Sequence, residues 1–213
     1  MPRILPILLA LAFATGAVAA EPRLTRPQAL ERLGDAEAAR RRDAIERLGD
    51  VGTMDDAKAL VKELRDKDPR ARKLAEASLW KIWSRSGDKK VDALYARGLE
   101  QMARGQSGEA LATFTRIIGI KPGFAEAWNK RATLFFLLGD FEDSLTDCDE
   151  VLKRNPLHFG ALAGYFQIYV ALEDYERALG YAQRALAINP NLEGLREGVE
   201  AVEERLGRPR QSI

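Results

Sequence analysis

From Val91 onward, apolar and polar positions alternate with a helical period, in blocks that stop and restart at regular places. In the block that opens "FGALAGYFQIYV", Leu162, Tyr165, Phe166 and Tyr169 fall at i, i+3, i+4 and i+7, which is one face of a helix. The block breaks at Glu173-Asp174, and a second periodic run ends in "ALAINP". The same order of events occurs twice upstream. Pro122, Pro156 and Pro190 are spaced 34 and 34 apart, and each closes a similar run. Counting back from each proline aligns three units, beginning at Val91, Ala125 and Phe159. A large apolar residue stands fourth (Leu94, Trp128, Leu162). The eighth residue is Gly98, Ala132 or Phe166, and a small residue opens the second run (Ala110, Ser144, Ala178). Turn residues separate the two runs: Gly105, Gly139-Asp140 and Glu173-Asp174. Each unit therefore reads as two antiparallel helices joined by a tight turn, with a proline stopping the second.

The flanks carry different patterns. After Pro190, Leu192, Leu195, Val199, Val202 and Leu206 form one apolar stripe, which predicts a single amphipathic helix closing the array over 191–213, with a frayed tail. The segment before the three units repeats at an offset of 31. Asp35 matches Asp66, Arg41 matches Arg72, Ala44 matches Ala75, Leu48 matches Leu79, and Val51 matches Ile82. Thr25-x-x-Gln28 has the spacing of a capping box, and Asp88, after "SRSG", that of an N-cap. The predicted organisation is a leader over 1–20, a first helical repeat segment over 21–87, three helical hairpins over 88–190, and a closing helix.

The leader prediction rests on "MPRILPILLALAFATGAVAA". It has one cation, Arg3, then no charge from Ile4 to Ala20, and small residues at Ala17, Ala19 and Ala20. This is the layout of a secretory signal cut near Ala19 or Ala20, and it predicts a periplasmic or secreted chain with no membrane insertion after cleavage. A retained N-terminal membrane anchor is the alternative, although Pro6, Thr15 and Gly16 weaken the run as a span.

The three units resemble tetratricopeptide repeats in period, turn position, small-residue columns and terminal proline. The resemblance departs at Phe166, where a small residue is usual. The 27–83 segment, an acidic turn before an arginine-rich helix with Ala and Leu turned inward, resembles short HEAT-like repeats. Together they imply an all-α fold, a right-handed α-solenoid of helical hairpins: a HEAT-like pair, three tetratricopeptide repeats and a capping helix. In the tetratricopeptide family the first helix of each unit lines a concave groove. The resemblance places Tyr95, Leu99 and Met102, then Asn129, Thr133 and Phe136, then Ala163, Gln167 and Val170 in that groove. The Lys/Asn set with which some relatives clamp a C-terminal carboxylate is largely missing, since Tyr95 and Leu99 occupy clamp columns.

Composition narrows the remaining options. The chain has 33 Lys+Arg against 32 Asp+Glu, a formal charge of +1, which supplies no basic footprint for nucleic acid. Cys148 and His158 are the sole cysteine and histidine of 213 residues. A metal site needs three or four ligands, so neither a zinc site nor a Cys/His catalytic pair is expected. Cys148 falls in a core column and His158 in a surface loop. The acidic run "GDFEDSLTDCDE" lacks the spacing and central glycine of a calcium loop. Arg131 and Asp147 are expected to form an ion pair within one unit. Trp80 and Trp83 are expected to seal the junction to the next repeat. The chain reads as a non-enzymatic adaptor without cofactor, whose groove takes a peptide or helical segment of another protein. A scaffold that self-assembles as a homo-oligomer is the alternative.

Overall fold

The computed structural model of the chain describes residues 23–208, and within them every regular element is a helix. The leader predicted over 1–20 lies outside the described residues.

The N-terminal segment contains α1 (Arg26–Arg32), α2 (Ala38–Val51), α3 (Ala57–Glu63, preceded by a 3-10 turn at Met54–Asp56) and α4 (Pro69–Trp83). Thr25 caps α1: its backbone N–H donates to Gln28 Oε1 at 2.9 Å, and its hydroxyl accepts from the Gln28 N–H at 3.5 Å. Ile45, Leu48, Leu60, Leu64 and Leu79 fill the core, and Ala44, Ala71 and Ala75 let the helices approach closely. Between the helical layers runs an arginine ladder. Arg41 donates through Nη1 to the Asp35 and Ala36 carbonyls, and its fork grips Asp66 at 2.6 and 2.7 Å.

The three units form hairpins: α5 (Lys89–Ala103) with α6 (Ser107–Ile120), α7 (Ala125–Leu138) with α8 (Phe141–Arg154), and α9 (Phe159–Ala171) with α10 (Tyr175–Ile188). Asp88 caps α5 by accepting from the Lys90 and Val91 N–H groups. Each hairpin turn needs one left-handed residue. Gly105 (φ 71°) and Gly139 (φ 85°) supply it at no steric cost, whereas Glu173 (φ 58°) is the single non-glycine residue of this kind among the described residues. The departure at Phe166 has a packing explanation. Residues eight and twenty-four of each unit share the core between its helices, and their sizes trade: Gly98 with Phe114, Ala132 with Cys148, Phe166 with Ala182. A Cβ on Gly98 would stand 2.7 Å from the Phe114 ring, so one of the pair must be small.

The closing helix α11 (Glu193–Arg205) packs Leu195, Val199 and Val202 into the core of the third hairpin. The N-terminal segment lies across the loops that join successive hairpins. Arg65 donates to the Ala187 and Ile188 carbonyls, Asn191 Nδ2 donates to the Leu64 carbonyl at 2.7 Å, and Asn189 Nδ2 donates to Glu76 at 3.1 Å. Trp80 and Trp83 lie against His158 and Phe159, at the entry to the third hairpin, with ring centroids 4.7–5.4 Å apart. The tryptophans therefore seal α4 onto a hairpin two units further along the chain, and not onto the next repeat as the sequence led one to expect.

Candidate functional site

The first helices of the second and third hairpins, α7 and α9, leave a cavity of about 130 Å³ between them. Its wall carries Asn129, Thr133, Phe136, Ala163 and Gln167, and its base Ser144, Cys148, Gly160 and Gly164. The cavity exists because α9 presents Gly160, Ala163 and Gly164 where larger side chains would fill the gap. Five of the nine sequence-derived groove residues are thus brought together. Val170 is half-buried and, like Phe136, packs against the core of the third hairpin. Leu99 is exposed on α5, and Met102 is half-buried in the first hairpin's core. Tyr95 is not brought to the cavity. It is buried, and its hydroxyl donates to Glu126 at 3.2 Å.

Beneath the loop-side end of the groove lies a buried polar cluster that the sequence reading missed. Glu126 and His158 are both fully buried, with Glu126 Oε1 2.5 Å from His158 Nε2. The geometry assigns the tautomer. The Ala161 N–H donates to His158 Nδ1 at 2.9 Å, so Nδ1 carries no proton, and Nε2–H must be the donor to Glu126. His158 is thus the N-cap of α9, and not the surface-loop residue expected from its place after Pro156. It lies under Trp83, which stacks on it, and Trp80, which meets it edge-on. Asn129 Nδ2 also donates to Glu126 at 3.2 Å, and the Lys130 ammonium stands 3.9 Å away. Burial pushes the Glu126 carboxyl up, but the His158 hydrogen bond and the surrounding donors outweigh it and hold Glu126 below the usual carboxylate range. The one sequence signal for this cluster was Glu126 itself, a charged residue at the second position of its unit.

The N-terminal segment covers this end of the groove. Trp80 lies so close to Gly160 that a Cβ there would stand 2.6 Å from its ring, and Lys130 Nζ is 5.7 Å from the Trp80 ring centre. The turn-side end is different. Thr133 and Gln167 are exposed, and Leu99, Leu137, Leu138 and Leu172 present apolar surface near the hairpin turns, Leu137 at 67% exposure. The face formed by α7 and α9 is therefore covered by Trp80 of α4 at its loop-side end and open at its turn-side end.

The remaining candidates have structural surroundings. The Arg131 fork grips Asp147 at 2.7 and 2.8 Å, and Arg131 Nη1 reaches Thr115 at 3.1 Å, so one side chain ties α6, α7 and α8 together. Burial pushes the Asp147 carboxyl up against the opposing pull of Arg131. Cys148 is buried, and desolvation together with Asp147 and Asp149 pushes its thiol up to about 12. It is therefore a protonated core side chain and a poor nucleophile. In the acidic run, Glu150 pairs with Lys153 and Arg154. Among the described residues no group of three or more His, Cys, Asp or Glu is placed to hold a metal ion, and no helix is long and apolar enough to cross a membrane.

Comparison with known proteins agrees with this geometry. A sequence model of the tetratricopeptide repeat matches residues 95–151 and 138–193. A TPR repeat-containing protein of Rhizobium etli is 30% identical over 142 residues, which cover 67% of this chain and 70% of that protein. The chain belongs to the tetratricopeptide-repeat family. Tetratricopeptide repeat protein 12 of Mus musculus is 31% identical over 102 residues, 48% of this chain and 14% of that one. Among solved structures, the first TPR of Spaghetti (RPAP3) bound to the HSP90 peptide SRMEEVD superposes with a TM-score of 0.54 at 22% identity, over 56% of this chain and 94% of that one. YrrB, a TPR protein with an unusual peptide-binding site, gives 0.50 at 20% identity, over 75% and 74%. At these identities the likeness is one of fold. It establishes a tetratricopeptide-repeat solenoid.

Proposed function

We propose that this tetratricopeptide-repeat protein is a non-enzymatic adaptor that holds a segment of a partner protein in the turn-side half of its concave groove. The observation that carries the reading is the open cavity between α7 and α9, with exposed Thr133 and Gln167 above an apolar floor. Such a surface offers pockets for side chains and a few hydrogen-bonding groups, the means by which grooves take extended or helical peptides. The peptide named with the related Spaghetti domain is in keeping with a family groove used in this way. The N-terminal segment, read as a HEAT-like pair, acts as a brace that closes the loop-side half. The leader-like layout of residues 1–20 supports a reading in which the adaptor works in the cell envelope, as a periplasmic or secreted chain. A second reading, self-assembly into a scaffold, draws on the exposed Leu137, Leu138 and Leu172.

A pull-down from envelope extract with the chain, beside a Thr133→Glu/Phe136→Glu variant shown by circular dichroism to be folded, tests the first reading. A protein retained by the native form and lost by the variant supports it. Equal retention by both forms contradicts it. A concentration series in sizing chromatography tests the second: a defined dimer that Leu137→Ser disperses supports the scaffold.

A further inference from the structure

The closing helix α11 has a role beyond sealing the core. It continues the register of the first helices. Asn129, Ala163 and Glu197 follow one another at steps of 34, as do Thr133, Gln167 and Ala201, and Phe136, Val170 and Glu204. Glu197, Ala201 and Glu204 are all exposed. α11 is seated as a first helix should be, with Gly198 against the Phe166 ring, where a Cβ would stand 2.9 Å away. A regular stack thus carries the groove one helix past α9, and this last wall bears two carboxylates. Neither Glu197 nor Glu204 has an ion-pair partner among the described residues. The nearby cation Arg205 is engaged elsewhere, 3.7 Å from Glu173 and over the Tyr175 ring. α9, the neighbouring wall, has no charged residue from end to end.

We infer that the groove's partner is an apolar segment with a cationic flank, its apolar side chains in the α7–α9 cavity and its Lys or Arg residues against Glu197 and Glu204. The inference rests on the groove reading above and adds the sign of the ligand. It is opposite to the sign a carboxylate clamp would require. Neighbouring packed helices lie about 8–10 Å apart, so an extended partner reaches α11 about three residues beyond the side chain it buries between α7 and α9.

Two fluorescein-labelled peptides with a common Leu-Ala-Phe-Leu core, one ending in three lysines and one in three glutamates, test this by fluorescence anisotropy with the full chain. The lysine peptide should bind at least tenfold more tightly at low salt, with the gap closing at high salt. Glu197→Lys/Glu204→Lys should reverse the order. Thr133→Glu/Phe136→Glu should weaken both peptides. Equal binding of the two peptides, lost in the groove variant but indifferent to the α11 variant, would overturn the charge assignment and leave the groove reading standing. Binding that ignores both variants, or no binding by either peptide, would overturn the two together.

Discussion

The N-terminal segment and the three hairpins use arginine with different emphasis. In the second hairpin the Arg131 fork grips Asp147 between the facing helices of one unit, and its Nη1 reaches back to Thr115 of the unit before. In the N-terminal segment Arg41 and Arg42 reach forward to the next layer, at Asp66 and Asp68. Arg41 holds its own turn through the Asp35 and Ala36 carbonyls and passes its fork to Asp66. Arg72 repeats the first half of this on the Asp66 and Lys67 carbonyls, but the next layer it reaches is not a third repeat of its kind. Its Nε donates to Asn191 Oδ1 at 3.1 Å, in the loop before α11. The ladder is thus finished by a foreign loop. A self-closing unit leaves its groove free, whereas a ladder with an open rung needs something to land on. The landing is what covers the loop-side half of the concave face.

The sharpest way to break this comparison is to remove the landing. Trp83→Ala should cost about 3–5 kcal/mol, the usual range for emptying a buried aromatic site. It should also split urea unfolding into two transitions, one for each region. A single transition at unchanged midpoint would mean that the two regions do not depend on this contact. Arg131→Ala attacks the self-closed unit and leaves Asp147 buried without its partner, for a loss of about 3 kcal/mol. Its unfolding should remain a single transition.

Glu126→Gln probes the polar cluster under the seam, at about 2 kcal/mol near neutral pH. Because Glu126 is held below its ordinary value of 4.5, its contribution is fully present above that value and is lost as pH falls through the lower folded one. The stability gap between wild type and Glu126→Gln should therefore narrow in acid, and a gap that widens there would contradict the assignment. The smallest effect is expected for Gly98→Ala, about 1–2 kcal/mol from crowding against Phe114. Phe114→Leu should rescue part of it, since the two residues trade size.

Local rules made most of this fold readable. The 34-residue spacing, the turn glycines and the caps at Thr25 and Asp88 each depend on contacts within a few dozen residues, and the hairpins follow from them. The five cavity residues from α7 and α9 were reached through the family's columns. Tyr95 obeyed the same column rule yet is buried, because Glu126 of the next unit draws its hydroxyl inward. The seam was not legible. A tryptophan looks the same in sequence whether it seals the next repeat or one two hairpins away. His158 follows a loop proline and reads as exposed, and it is the packing of Trp80 and Trp83 against it that makes it a core residue. The register of α11 was present in the sequence, but its apolar stripe directed attention to the core it seals and away from Glu197 and Glu204 on the other side.

The central claim is that the chain fills the loop-side half of its own groove and leaves the turn-side half for a partner. Placing the photo-crosslinker benzoylphenylalanine at Gln167 in one form and at Lys130 in another, and irradiating both in envelope extract, tests it most directly. The account predicts that Gln167 joins a second protein, while Lys130 gives an intrachain link that maps to the Trp80 peptide. An intermolecular adduct at Lys130 with none at Gln167 would contradict it.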